Sequence, residues 1–166
     1  MRAPPYRILV LCTGNSARSV MAEALFNVLG DGRFEAYSAG SRPSGRVQPM
    51  AAELAASIGY DTARLRSKSW DEFSAPGAPE LDLVVTVCDN AAGEACPVWY
   101  GAPVVAHWGV EDPAAVEGDE ETRRRAYLQA FTALRRRVAL LVALPVETLD
   151  RQVAEREIRD IGKIDG

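Results

Sequence analysis

A cysteine and an arginine with five residues between them, Cys12-Thr13-Gly14-Asn15-Ser16-Ala17-Arg18, followed by Ser19, form the chemically loaded stretch of this chain. Residues of these types at this spacing suit the capture of an oxyanion against a sulfur nucleophile. Five intervening residues let the backbone curl until successive N–H groups point inward, and such a nest holds a tetrahedral anion. The run Arg7-Ile8-Leu9-Val10-Leu11 before it reads as a strand and a helical pattern follows it, so the positive end of a helix dipole adds to the field. Helix N-termini and neighbouring cations favour a thiolate over a thiol, which makes Cys12 a nucleophile candidate. Arg18 brings a planar fork that grips two oxygens, and Ser19 is placed to donate its hydroxyl to the sulfur. A merely structural cysteine would leave the glycine, the arginine and the strand-to-helix position unexplained.

Asp112-Pro113 lies in a later loop, from which a carboxyl group can reach over an anion held by the Cys12 loop. A leaving hydroxyl or alkoxide needs a proton as its bond breaks, and Asp112 is the candidate general acid. Asp-Pro is also an ordinary turn signal, and only the partnership with Cys12 favours the catalytic reading. Cys88 and Cys96 are separated by seven small or polar residues, enough to close a disulfide. A redox relay fits them, since thiolate attack on a neighbouring sulfur requires one cysteine to move in on the other. Two unrelated cysteines is the plain alternative. Zinc fits poorly, because there is neither C-x2-C spacing nor a second histidine beside His107, so no metal is expected. His107 receives no role, and Trp70, Trp99 and Trp108 read as packing. The basic runs Arg123-Arg124-Arg125 and Arg135-Arg136-Arg137 read as a solvated helix face.

These groups need elements to position them. Apolar residues from Ala17 to Leu29 recur at helical spacing, with Gly30 as the expected C-cap. A strand is predicted over 34–40, a helix over 47–58 ended by Gly59, and a short helix over 67–73. Strands follow at 81–87 and 103–108, then a long helix over 120–143 with Tyr127, Ala130, Phe131, Leu134 and Leu141 on its apolar stripe. The alternation implies an α/β fold in three layers, a central parallel sheet of about four strands flanked by helices. Ligands in such sheets sit beyond the carboxyl ends of the strands, and Cys12, Cys88 and the loop after Trp108 all fall there. Residues 146–166 carry Leu149, Val153, Ile158 and Ile161 among alternating charges, which predicts a final helical extension on or beside the same domain, most simply a solvated one.

With 166 residues, 48% of them hydrophobic, the chain can bury a core without disulfides or a structural metal, so one domain over 1–145 plus the extension is expected. A net charge of -4 gives no reason to expect nucleic acid or an anionic membrane as partner. The start of the chain lacks the pattern of a secretion signal, and no apolar run reaches the roughly 18 residues of a membrane span. A reducing, cytoplasmic setting is expected, in which three cysteines read as catalytic or redox groups. The expected state is a monomer or weak dimer.

Several motifs agree in order: Cys12 to Ser19 with Met21-Ala22-Glu23, Val87-Cys88-Asp89-Asn90, Cys96-Pro97, and His107-Trp108-Gly109 with Asp112-Pro113-Ala114. From about Arg7 to Leu144 the chain resembles the arsenate reductases of the low-molecular-weight tyrosine phosphatase superfamily. The resemblance implies a phosphatase-like parallel sheet and a reaction in which Cys12 attacks arsenate, Arg18 and the loop amides hold its oxygens, and Asp112 protonates the departing hydroxyl. It further implies that Cys88 attacks the Cys12 adduct to release arsenite, that Cys96 then attacks Cys88, and that the Cys88–Cys96 disulfide passes to thioredoxin, with glutaredoxin or a small thiol as the other donors considered. The activity would serve arsenical resistance, without a tightly bound cofactor. Some relatives hold potassium beside the loop. Asn15, Glu23 and Ser38 match three of its ligands, whereas Lys68 stands at the fourth position, where its ammonium is expected to replace the ion. The competing expectations are a tyrosine phosphatase and a non-catalytic oxyanion- or partner-binding module. Ala114, where phosphatases carry an aromatic residue, and the second and third cysteines oppose the phosphatase.

Overall fold

The computed structural model describes residues 5–88 and 99–164. Four strands, β1 (Tyr6–Leu11), β2 (Phe34–Ala39), β3 (Leu83–Thr86) and β4 (Val104–His107), form one parallel sheet in the order β2-β1-β3-β4. Ile8, Leu9, Val10 and Leu11 of β1 are fully buried. A strand that is apolar on both faces belongs in the middle of a covered parallel sheet. Four helices flank the sheet: α1 (Arg18–Gly30), α2 (Pro49–Ser57), α3 (Glu120–Val142) and α4 (Arg151–Ile161). Helix α1 packs against both α3 and α2, and α4 packs against β4.

The register brings the strand ends level. Leu11 pairs with Ala39 on one side and Thr86 on the other, and Thr86 pairs with His107. From β1 the chain goes to β2 on one flank and later returns to β3 on the other, so the order reverses between β1 and β3. Parallel sheets place ligands beyond the carboxyl ends of the strands at such a switch point, and Cys12 and Cys88 follow those two strands.

The local differences from the sequence reading have physical causes. Gly30 is the last residue of α1 rather than its cap, which is Asp31 at φ 46°. A Cβ on Gly30 would lie 2.8 Å from the Phe34 ring, so the glycine answers a packing demand. The helix expected over 67–73 is a 3-10 turn at Trp70–Phe73, because Ser69 instead pairs with Gly40 and caps the turn by accepting from the Asp71 amide. The start of α3 is capped by Asp119, which accepts from the Thr122 amide at 2.8 Å. The C-terminal helix is packed rather than solvated. Ala154, Ile158 and Ile161 are buried, and the fully buried Trp108 donates its indole N–H to the Ile158 carbonyl at 2.9 Å.

Candidate active site

The loop after β1 is held from several directions. The carbonyls of Thr13, Gly14 and Ser16 accept from the amides of Arg42, Ser44 and Gln48, and Ser67 Oγ donates to the Gly14 carbonyl at 3.0 Å. Gly40 runs so close that a Cβ there would lie 2.4 Å from the Thr13 carbonyl oxygen. Asn15 takes φ 46°, a region asparagine tolerates better than most residues. Its side chain is fully buried. Oδ1 accepts from the Lys68 amide at 2.9 Å, which orients the amide group so that Nδ2 donates to Ser19 Oγ at 2.8 Å. Ser19 Oγ in turn lies 2.9 Å from Cys12 Sγ. Having accepted from Asn15, the serine keeps its own hydrogen for the sulfur, an arrangement suited to a thiolate.

No side chain caps the start of α1, and its first turn carries no acidic residue. The positive end of the helix is thereby left without a side-chain acceptor, as an anion site requires. Arg18 is the first residue of the helix. Its Nη1 donates to the Val110 carbonyl at 2.9 Å, and its Nη2 lies 3.5 Å from Asp112 Oδ2. One guanidinium thus links the anion loop to the loop of the proposed acid. Asp112 also caps the turn at Pro113–Ala115, accepting from the Ala114 amide at 3.0 Å, so its turn role and its contact with Arg18 coexist.

Cys88 reaches the same place from β3. It is buried, and its Sγ accepts from the Thr13 amide at 3.3 Å, beside Cys12; both thiols are free. Cys96 lies outside the described residues, with the rest of 89–98.

Beneath the loop lies a buried polar cluster. Glu23 accepts from Ser38 Oγ at 2.7 Å and from the Tyr60 hydroxyl at 2.6 Å, and Lys68 Nζ stands 3.9 Å from Glu23 Oε1. Burial pushes the Lys68 pKa down, opposed by Glu23. Burial and the Glu23 charge both push Tyr60 up. Asn15, Glu23, Ser38 and Lys68 are thereby gathered beneath the loop. Among the described residues no group of three or more His, Cys, Asp or Glu is arranged to hold a metal ion.

Two residues escaped sequence reasoning. Tyr60 sits beyond the second helix with no motif around it, and no sequence signal marks it. Arg137, read as part of a solvated run, is 5% exposed, donating to the Gly109 carbonyl at 2.9 Å and the Ile164 carbonyl at 3.2 Å. A signal existed, because Leu134, Arg137 and Leu141 share the buried stripe of α3 at helical spacing. Elsewhere in those runs Arg124 and Arg125 make exposed ion pairs with glutamates, as a solvated face does. His107 bonds Thr86 Oγ1 through Nδ1 at 2.8 Å.

Comparison with known proteins agrees with this geometry. Residues 7–155 match the profile described as Low molecular weight phosphotyrosine protein phosphatase. The arsenate reductase of Halalkalibacterium halodurans is 37% identical over 132 residues, covering 79% of this chain and 91% of that protein. For the arsenate reductase of Bacillus subtilis the identity is 39% over 117 residues, covering 70% and 80%. The crystal structure of an arsenate reductase from Archaeoglobus fulgidus superimposes with a TM-score of 0.60 at 34% identity, covering 82% of this chain and 99% of that one. With its fold and these relatives in agreement, the chain belongs to the low molecular weight phosphotyrosine protein phosphatase family.

Proposed function

We propose that this chain reduces arsenate to arsenite through a three-cysteine relay. The observation that carries the reading is the second thiol: Cys88 Sγ is bonded to the amide of the residue next to Cys12, which hydrolysis of a phosphate ester would not need. The naming of similar proteins as arsenate reductases supports it. Cys12 Sγ attacks arsenic while Arg18 and the loop amides hold the remaining oxygens, and the departing hydroxide takes a proton from Asp112 and leaves as water. Cys88 Sγ then attacks Cys12 Sγ. The electron pair of the sulfur–arsenic bond passes to arsenic, arsenite departs, and a Cys12–Cys88 disulfide forms. Cys96 attacks Cys88 and frees the Cys12 thiolate, and the Cys88–Cys96 disulfide is reduced by a dithiol donor, for which thioredoxin is proposed.

The setting proposed is the reducing cytoplasm, in arsenic detoxification; no helix among the described residues is long and apolar enough to cross a membrane. The Lys68 ammonium, facing Glu23 across 3.9 Å, takes the place of a monovalent cation under the loop. Turnover should then be indifferent to exchanging potassium for sodium, and strong activation by potassium alone would remove this part of the proposal.

The test is arsenite formation with thioredoxin, thioredoxin reductase and NADPH, for the wild type and for Cys12→Ser, Cys88→Ser and Cys96→Ser. Turnover in the wild type and its loss in every variant is expected. Turnover that persists without Cys96, or that needs glutaredoxin and glutathione, would replace the donor route. Aryl phosphate hydrolysis dependent on Cys12 alone, with no arsenate turnover, would make the chain a phosphatase.

A further inference from the structure

The loop that carries Asp112 packs Val110 against the core and buries Pro113, but it is open on one side. A cavity of about 670 Å³ separates Gly109 to Asp112 from Leu128, Thr132 and Arg136 of α3. On that side packing does not hold the loop, and polar bonds add to the one that the Val110 amide donates to the Val87 carbonyl at 3.0 Å. Two consecutive carbonyls are gripped by two arginines. Arg18, from the anion loop, takes the Val110 carbonyl at 2.9 Å; Arg137, from α3, takes the Gly109 carbonyl at 2.9 Å. The same Arg137 fork reaches the Ile164 carbonyl beyond α4 at 3.2 Å. Helix α4 holds the approach to the loop at further points. Arg159 Nε donates to the Val105 carbonyl at 3.1 Å, and Trp108 donates to Ile158. Gly162 lies so close that a Cβ would stand 2.3 Å from the His107 carbonyl oxygen.

Burying a guanidinium that far costs more than burying an apolar side chain of the same volume. What the charged fork supplies is geometry: two carbonyls from separate segments fixed by one rigid plane.

We propose that Arg137 is a positioning residue for the acid loop, fixing Gly109 against the C-terminal segment so that the Asp112 carboxyl stands over the anion that Arg18 holds. This rests on the reading of Asp112 as proton donor. Arg137 touches neither the anion nor the reacting sulfur, and it acts only through the loop.

The experiment is a double-mutant cycle read in one turnover without reductant, following arsenate-driven loss of free thiols in the wild type, Arg137→Met, Asp112→Asn and the double variant. Arg137→Met is expected to slow the saturating rate constant about tenfold. The arsenate concentration giving half the maximal rate should stay within about twofold of the wild type, and with Asp112 already replaced the same change should cost less than about twofold. An equal loss in both backgrounds, or none in either, overturns the inference while leaving Asp112 as the acid. If Asp112→Asn alone costs nothing, the proton-donor reading falls, and the inference with it. Should Arg137→Met not fold, Arg137→Lys serves, since it keeps the charge but lacks a fork to span both carbonyls; it is expected to lose rate in the same sense, and full activity in that variant overturns the inference.

Discussion

Two loops meet at the proposed site and are built in opposite ways. The Cys12 loop is over-determined: Asn15 and Ser19 are fully buried, three loop carbonyls are taken by amides of the 42–48 segment, and Gly40 leaves it no slack. The Asp112 loop is suspended. Its carboxylate side chain is 39% exposed, it borders an open cavity, and arginines from two helices hold it. A nucleophile and its oxyanion cradle gain from a fixed geometry set before substrate arrives, because donors that need not reorganise stabilise charge best. An acid must meet a leaving group whose position changes during the reaction, and a tethered loop permits that adjustment.

The strongest test of the contrast removes the nucleophile. Cys12→Ser should cost at least about 10³-fold in arsenate turnover while leaving the fold intact, judged by its unfolding midpoint. Asp112→Asn should cost less, on the order of 10²-fold, because the loop amides and Arg18 still hold the anion. Within the rigid loop, Asn15→Ala removes two buried hydrogen bonds and puts alanine at positive φ, so denaturant unfolding should show a loss of about 3 kcal/mol. An Asn15 variant as stable as the wild type would mean that the loop is not over-determined. Gly40→Ala should cost about 2 kcal/mol, since its Cβ would press on the Thr13 carbonyl. A remote tether offers the smallest effect. Arg33 bonds Glu147 at 2.7 Å and holds its carboxyl below the ordinary range. A depressed carboxylate adds stability above its unfolded pKa that is lost as pH falls through the folded value. Glu147→Gln should therefore flatten the acid side of the stability profile by under about 1 kcal/mol for this partly exposed pair. Turnover should not change.

This difference between the loops also decides what the sequence could tell. The Cys12 loop is local, one contiguous stretch whose spacing, glycine and flanking elements declare its chemistry, and the strand and helix order follows from hydrophobic period alone. The parallel sheet and the meeting of Cys12 with Cys88 were legible because both cysteines close strand-like runs. The burial of Arg137 was legible from its place on the apolar stripe of α3, but its partners were not, because they are the carbonyls of Gly109 and Ile164, and a backbone carbonyl has no signature in a sequence. Tyr60 was missed for a different reason: its partner is the carboxylate of Glu23 on α1, far away in sequence. The C-terminal helix looked solvated because its charges outnumber its apolar residues, while the three that matter, Ala154, Ile158 and Ile161, fall on one narrow stripe.

The level register of β1 and β3 has a consequence for thiol chemistry. The Val87 amide donates to the Leu11 carbonyl at 2.9 Å, so Cys88 stands one residue past the rung that faces the Cys12 loop. Neighbouring strands run about 4.8 Å apart, and the Cys88 sulfur accepts from the Thr13 amide at 3.3 Å. Two thiols distant in sequence are therefore brought to neighbouring strand ends, the loop-closure entropy having been spent when the core formed. In the proposed relay, sulfur exchange would draw on folding free energy, and a core substitution in β3 that loosens its pairing with β1 should slow the exchange between Cys12 and Cys88 without touching either sulfur.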